Sequence, residues 1–172
     1  MNAQQLRGRL FRRGNPVFRP AMQEDMRWLW ASYKLEGGEI DQDQFTLHTR
    51  NEIARHSRAY MAEDENAQFE NGRGPIAVIT ADYDGWKIEP HMTFFPWATH
   101  RNRLKAVVGF LMYQRFEPDI GSIQLRTDEN GRDFCKRLGD YLPLRVGGKI
   151  AGGRPNGADY IFYVRGKKHG NL

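Results

Sequence analysis

Residues 91–106 read HMTFFPWATHRNRLKA, and this stretch carries the strongest structural signal in the sequence. The residues from Met92 to Phe95 are apolar or β-branched, which favours a strand, and Pro96 ends its pairing. From Arg101 onward, apolar side chains recur at the spacing of one helix face: Leu104, Val107, Val108, Leu111 and Met112. The stretch therefore predicts a β-strand that leads directly into an amphipathic helix.

Positive charge is concentrated where this helix begins. Arg101, Arg103 and Lys105 lie within its first two turns, and a helix N-terminus also exposes unpaired N–H groups and the positive end of its dipole. Together these features favour an anion-binding site. An ordinary strand-to-helix turn with a solvated basic face fits the same residues, so both interpretations stay open.

The composition is that of a globular protein of one domain. The 172 residues are 40% hydrophobic, 12% aromatic and 27% charged, with a net charge of +5 that favours an acidic partner. Cys135 is the only cysteine, which excludes an intramolecular disulfide and suits a reducing compartment. No apolar run approaches the ~20 residues of a membrane helix, and the first residues lack the apolar core of a secretion signal. We therefore expect neither a membrane protein nor a secreted one.

From Val17 onward, the periodicities predict elements in the order β, α, α, β, β, β, α, β, α, β, β. Asp41 is the predicted N-cap of the second helix, and Asp84-Gly85 is a two-residue hairpin turn. The polar residues 64–74 and the glycine-rich residues 151–157 are predicted loops. The order predicts a single α/β sheet domain over residues 16–166.

Basic residues flank this domain. Residues 1–15 are predicted to form an arm that contains Arg7, Arg9, Arg12 and Arg13, and residues 167–172 form a tail with Lys167 and Lys168. Such charge suits the phosphates of nucleic acid or the acidic patches of neighbouring subunits, and a solvated tail fits equally well. No nucleic-acid-reading motif accompanies the charge, so we do not expect base-specific recognition.

The element order, with a strand-to-basic-helix junction in its middle, resembles the GNAT (Gcn5-related N-acetyltransferase) fold over residues 17–165. The resemblance implies a mixed, mostly antiparallel sheet of about seven strands flanked by about four helices. In the GNAT family, the helix after the fourth strand begins with a (Gln/Arg)-x-x-Gly-x-(Gly/Ala) loop that binds the coenzyme A pyrophosphate. The resemblance places the cofactor-binding residues in a run of six: Arg101, Asn102, Arg103, Leu104, Lys105 and Ala106.

Two departures from the family pattern concern catalysis. Leu104 stands at the family's central glycine, where a side chain would tend to obstruct the approach of the phosphates. Cys135 stands at the position of the family's general acid, a tyrosine; a small buried hydrophobe explains this cysteine as well, and Tyr141 is the nearest alternative acid. Glu89 and His91 share one strand face and are the candidate bases, although a polar pair on a strand face is also typical of the solvated side.

The sequence FFPWATHRNRL, residues 94–104, also resembles the degenerate GNAT-like proteins of tailed bacteriophages. That resemblance implies a non-enzymatic or vestigial protein, in the virion or the host cytoplasm, that binds virion or assembly proteins and needs no cofactor. Its basic arms would contact neighbouring subunits or DNA phosphates without sequence specificity. The alternative is an active N-acetyltransferase that transfers acetyl from acetyl-coenzyme A to a small amine or a protein lysine.

Other histidines and the tryptophans are further candidates for binding roles. His48, Glu52 and His56 fall on one face of the second predicted helix, but this pattern is typical of a polar surface stripe, and no metal site is predicted. Trp28 lies off the inner stripe of its helix, which favours an exposed protein contact. Trp30, Trp86 and Trp97 are predicted core residues, with the alternative that Trp97 fills the catalytic cleft.

Overall fold

The computed structural model describes residues 2–69, 72–117, 119–154 and 157–165. In these residues five α-helices and seven β-strands follow one another along the chain. The helices are α1 (Ala3–Leu10), α2 (Met26–Leu35), α3 (Gln42–Ala54), α4 (His100–Phe116) and α5 (Glu129–Leu138). The strands are β1 (Val17–Pro20), β2 (Arg58–Phe69), β3 (Gly72–Asp84), β4 (Lys87–Phe94), β5 (Ser122–Thr127), β6 (Leu144–Arg154) and β7 (Gly157–Arg165).

The seven strands form one sheet in the order β1-β2-β3-β4-β5-β7-β6. The pairs β1–β2, β2–β3, β5–β7 and β6–β7 are antiparallel. The pair β4–β5 is parallel, with Lys87 opposite Ser122 and Ile88 opposite Ile123. A mixed, mostly antiparallel α/β sheet confirms the predicted fold class and strand number.

The chain divides into two compact units. The first unit consists of the described residues of 13–82 and 91–107, and it contains α2, α3, β1, β2 and most of β3. Its core includes Met61, Val78 and Phe95, against which Trp28, Leu29 and Trp97 pack. Trp28 and Trp97 meet edge to face with 6.4 Å between their ring centroids. The predicted exposure of Trp28 is therefore wrong, because the ring covers this core.

An ion-pair network ties β1 to β2 and to the turn before α2 in the first unit. The Arg19 guanidinium donates to both oxygens of Asp25 at 2.6 and 2.7 Å and to Glu63 at 2.9 Å. Asp25 also accepts the N–H of Met22 at 2.8 Å. Burial alone would raise the pKa of Asp25, but the hydrogen bonds from Arg19 and Met22 outweigh it and lower that pKa. A bidentate guanidinium–carboxylate pair thus fixes the start of the α2 region.

The second unit consists of the described residues of 1–12, 83–90 and 108–172. Asp128 caps α5 by accepting the N–H of Gly131 at 3.0 Å. Trp86 is 65% exposed, so its predicted place in the core is wrong. Its ring nevertheless covers Gly121, where a Cβ would lie 2.5 Å from the indole.

Three predicted boundaries differ from the structure. Residues 3–10 form α1 within the predicted arm, capped by a reciprocal pair of hydrogen bonds between Asn2 and Gln5. The predicted loop over residues 64–74 is wrong, because β2 continues to Phe69 and β3 begins at Gly72. The predicted glycine-rich loop is also too long, since β6 extends to Arg154.

The long helix α4 is buried on more than the predicted stripe. Asn102, Lys105, Ala106, Phe110 and Gln114 are each at most 4% exposed, in addition to Val107, Val108 and Leu111. Leu104 and Met112, which the apolar pattern placed on the inner face, are only half-buried. Within the described part of the chain, no helix is long and apolar enough to cross a membrane.

Candidate functional site

The N-terminus of α4 is closed by a reciprocal pair of hydrogen bonds. The Thr99 hydroxyl accepts the backbone N–H of Asn102 at 3.2 Å, and the Asn102 side-chain oxygen accepts the N–H of Thr99 at 3.2 Å. Because Asn102 is 4% exposed, burial and these bonds fix its amide. The sequence Thr-x-x-Asn thus works as a capping box in which asparagine replaces the usual glutamate or glutamine.

The three cations that the sequence places at this helix end have different environments. Lys105 forms an ion pair with Asp64 at 2.6 Å, and both side chains are at most 2% exposed. Arg103 donates to the carbonyl of Ala98 at 3.0 Å and lies over the ring of Phe94. Arg101 is exposed. The alternative of a solvated basic face is therefore wrong for Lys105, whose charge is balanced inside the protein.

A cavity of about 100 Å³ adjoins the same helix end, and five residues line it: Arg13, Thr99, Arg101, Asn102 and Lys105. Two exposed guanidiniums thus lie beside a helix N-terminus, a donor set that suits a phosphate group. In the sequence, Arg13 is predicted to bind a partner as part of the arm, and its place beside α4 is not indicated. The signal was absent, because nothing local links residue 13 to residue 101.

A larger cavity of about 450 Å³ opens between α2, α3 and the strands β3 and β4 of the first unit. Leu29, Phe45, Ile53 and Val78 supply apolar lining. Polar and ionisable groups share the cavity: Ser32, Tyr33, Glu36, His48, Thr49, Glu52, His56, Thr80, His91 and Thr93. A cavity that combines apolar walls with convergent polar groups suits a small molecule that carries both kinds of group.

Two histidines and one carboxylate meet at this cavity. Nδ1 of His56 lies 3.0 Å from Oδ2 of Asp82, and Nε2 of His91 lies 3.5 Å from the same oxygen. The other oxygen of Asp82 accepts the N–H of Ser57 at 3.3 Å. Burial alone would raise the pKa of Asp82, but the hydrogen bonds from His56 and Ser57 outweigh it and lower that pKa. We call these three residues the His56–Asp82–His91 cluster.

The two predicted bases differ in placement. His91 lines the larger cavity and belongs to the cluster. Glu89 belongs to the second unit, where it lies 3.7 Å from Arg126 and its side chain is 18% exposed. His56 was assigned to a helix-surface stripe with His48 and Glu52, and its neighbours Asp82 and His91 were missed because they come from strands distant in sequence.

The two predicted acids both lie in the second unit. Cys135 is a buried thiol on α5, and burial raises its pKa to about 11. Tyr141 follows α5, and its backbone carbonyl accepts a hydrogen bond from the guanidinium of Arg7. No observed contact assigns either side chain to catalysis, so both roles stay predictions.

The basic N-terminal residues are partly engaged within the chain. Arg7 contacts Tyr141, and Leu10 is buried, so α1 packs within the second unit. Arg9, Arg12 and Arg13 are exposed. Lys167 and Lys168 lie outside the described residues. The partner-binding roles of all six cations stay predictions.

Trp97 does not need a cleft to explain its position. Its ring stacks on Phe95 with 4.7 Å between centroids, and its indole N–H donates to the carbonyl of Pro75 at 2.7 Å. The indole is thus held against the core of the first unit, in agreement with the prediction that Trp97 is a core residue.

This sheet order, with α4 following β4, is the fold of the GNAT N-acetyltransferases, as the sequence resemblance implied. Spermidine N-acetyltransferase from Vibrio cholerae, solved with coenzyme A and spermine, aligns with a TM-score of 0.66 at 12% identity. That alignment covers 91% of this chain and 99% of the other. A mutant form of the Vibrio cholerae enzyme, in which glutamates are replaced by glutamine, aligns with a TM-score of 0.64 at 13% identity and covers 88% and 95%. No protein-family model and no curated protein matches the sequence.

Proposed function

We propose that this protein is an acetyl-coenzyme A-dependent N-acetyltransferase whose acceptor is an amine bound in the larger cavity. One observation carries the proposal. The chain has a fold similar to that of an enzyme solved with coenzyme A and spermine, and its first unit contains both a basic cavity at the N-terminus of α4 and a separate, histidine-bearing cavity.

The smaller cavity suits the phosphates of the thioester substrate. Arg13 and Arg101 supply guanidiniums that pair with phosphate oxygens in a planar, two-pronged geometry. Thr99 and Asn102 fix the first turn of α4, so the positive end of the helix dipole keeps one orientation. Acetyl-coenzyme A supplies the activated acetyl group when bound, and the residues here hold its charged part.

The larger cavity suits an amine with apolar carbon chains. Glu36 and Glu52 bring negative charge to its lining, although Glu52 also pairs with Arg55 at 2.6 Å. Carboxylates beside an apolar wall attract an ammonium group and cover its methylenes. Spermidine and spermine, which the similar enzyme acts on or binds, are therefore the first acceptors to test.

His91 is the better placed of the two predicted bases. It lies in the cavity beside Asp82, whereas Glu89 lies near Arg126 in the second unit. In the proposed reaction His91 accepts the proton that the amine loses, and Asp82 orients its imidazole. This role is supported by the position of His91 in the cavity.

The virion role, which the sequence favoured, has no support in the comparisons. The similar structures are those of acetyltransferases. In addition, α1 packs against its own chain, so fewer of the N-terminal residues are available to bind a neighbouring subunit. The virion role stays a prediction without a structural observation in its favour.

The proposal is tested by titrating the protein with acetyl-coenzyme A and then assaying free thiol release with spermidine, spermine and other primary amines. Arg101→Ala should weaken acetyl-coenzyme A binding at least tenfold. Arg50→Ala, a matched change at an exposed α3 residue that lines neither cavity, should leave it unchanged. His91→Ala should lower kcat with a smaller effect on acetyl-coenzyme A affinity. If the native chain neither binds acetyl-coenzyme A saturably nor releases thiol with any amine, the proposal is wrong.

A further inference from the structure

We propose that the His56–Asp82–His91 cluster is a binding site for a divalent transition-metal ion, with Zn²⁺ as the best fit. This goes beyond the proposed acetyl transfer and does not depend on it. Two imidazoles and one carboxylate converge so that one ligand atom of each lies within 4.8 Å of the other two. Two histidines and a carboxylate, with a further position open, form a recurrent protein site for such ions.

Two of the three separations between the ligand atoms are close to those around a tetrahedral ion. With zinc–nitrogen and zinc–oxygen distances of about 2.0–2.1 Å, two ligands of a tetrahedral site lie about 3.3 Å apart. Asp82 Oδ2 lies 3.0 Å from Nδ1 of His56 and 3.5 Å from Nε2 of His91. The two imidazoles have their ring centroids 5.1 Å apart. The two ring nitrogens lie within 4.8 Å of each other, so an inward rotation of the rings that shortens this separation by up to about 1.5 Å brings it into the same range.

Each ligand is attached to a well-defined part of the first unit. Asp82 is on β3 and His91 is on β4. His56 follows α3, and its backbone N–H donates to the carbonyl of Ile53 at 3.1 Å. The N–H of Ser57 donates to the second oxygen of Asp82, the kind of outer contact that orients a ligating carboxylate.

The chemistry of the ligands selects the type of ion. Imidazole nitrogens favour Zn²⁺, Co²⁺ and Ni²⁺ over Mg²⁺ and Ca²⁺, which prefer oxygen ligands. The side chains of His56, Asp82 and His91 are 24%, 45% and 45% exposed, so an ion has access to them from solvent. His56 and His91 also line the larger cavity, which leaves the fourth position to water or to a donor group of a bound molecule.

Metal binding has a consequence for the proposed enzyme. A neutral imidazole that ligates an ion through Nε2 carries its proton on Nδ1 and has no nitrogen left to accept another, so bound Zn²⁺ and the base role of His91 exclude each other. Micromolar zinc should then inhibit acetyl transfer, and chelation should restore it. This consequence rests on the proposed function, whereas binding of the ion does not.

The binding test uses metal-free protein without a polyhistidine tag, titrated calorimetrically with Zn²⁺ in the absence of acetyl-coenzyme A. We expect one ion per chain, and His56→Ala, Asp82→Ala and His91→Ala should each weaken binding at least tenfold. His48→Ala is the matched control, because His48 lines the same cavity but lies outside the cluster; it should leave zinc affinity unchanged. Co²⁺ should give the intense visible absorption of a four-coordinate site.

Folding of each variant is checked by its thermal midpoint, and Asp82→Asn provides a milder second change that keeps the side-chain shape. Three results would overturn the inference: no saturable zinc binding by the native chain, binding that the three cluster variants retain, or binding that His48→Ala weakens as much as His91→Ala. Failure of zinc binding with intact acetyl transfer rejects the metal site alone. Zinc binding without acetyl transfer rejects the proposed enzyme alone.

Discussion

Replacing Lys105 with methionine removes one charge of the buried pair with Asp64 while keeping the side-chain volume nearly constant. The two side chains are 2% and 1% exposed and lie 2.6 Å apart, so solvent screens neither charge. Breaking such a pair leaves a buried carboxylate without its cation, which typically costs about 3–5 kcal/mol. Since a domain of this size has about 5–15 kcal/mol of stability in total, the loss is a large fraction of it.

The assay is urea unfolding of the native chain, Lys105→Met, Asp64→Leu and the double variant, each analysed for midpoint and slope. We expect each single variant to lose about 3–5 kcal/mol and the double variant to recover part of that loss, because it leaves no unpaired buried charge. A single-variant cost below about 1 kcal/mol, or losses that simply add in the double variant, would refute a buried, mutually dependent pair.

The same variants decide how Lys105 acts at the smaller cavity. If its charge serves only Asp64, folded Lys105→Met should bind acetyl-coenzyme A nearly as well as the native chain, measured far below its unfolding midpoint. Arg101→Ala, at the exposed guanidinium, should then show the larger loss of affinity. A loss in Lys105→Met equal to that in Arg101→Ala would instead assign Lys105 to phosphate binding, as the family resemblance implied.

Three further predictions concern stability and reactivity. The pKa of Asp25 is lower in the folded chain than in the unfolded one, so its stabilising effect is present above about pH 4 and is lost as the pH falls further. The loss of stability in acid should therefore be smaller in Asp25→Asn than in the native chain. Equal losses in the two proteins would contradict this. Gly121→Ala should lower the thermal midpoint, because the added Cβ meets the ring of Trp86. Gly8→Ala, in a helix with open space around it, should instead raise stability by up to about 1 kcal/mol. A Gly121→Ala protein that is more stable than Gly8→Ala would refute the packing at residue 121. Cys135 is 7% exposed, and burial raises the pKa of its thiol. A thiol reagent should therefore label it only as fast as the protein unfolds locally around it. Immediate labelling at neutral pH would show that the thiol is not buried.

Local signals in the sequence were sufficient where the structure depends on neighbouring residues. Asp41 caps α3 by accepting the N–H of Gln44 at 2.9 Å, and Gly85 has a φ of 57° at the predicted hairpin turn. Both features follow from the properties of a short stretch. The helix α1 was missed because arginines and Gly8 obscured its pattern, although Asn2 and Gln5 are the spaced pair of a capping box.

Side chains that depend on distant residues were beyond the reach of the sequence. Lys105 looks like a surface cation in its own helix, and only Asp64, 41 residues earlier, explains its burial. Asp64 in turn lay in a segment that its polar composition marked as a loop. The helical spacing of His56 pointed to its neighbours on α3, whereas Asp82 and His91 reach it from two strands. Periodicity reports which face of an element a residue occupies, but it carries no information on what packs against that face.

Leu104 was the strongest sequence argument against a working coenzyme site, and the structure weakens it. That argument depended on the family pattern, in which the phosphates approach the backbone at a glycine in this position. In the structure α4 already begins at His100, which places Leu104 in the second helical turn, half-buried. Among the described residues, the basic cavity is lined by Arg13, Thr99, Arg101, Asn102 and Lys105. Leu104 is not among them. A side chain that does not border the cavity does not obstruct it, so the departure from the family's glycine is compatible with an anion held by Arg13 and Arg101.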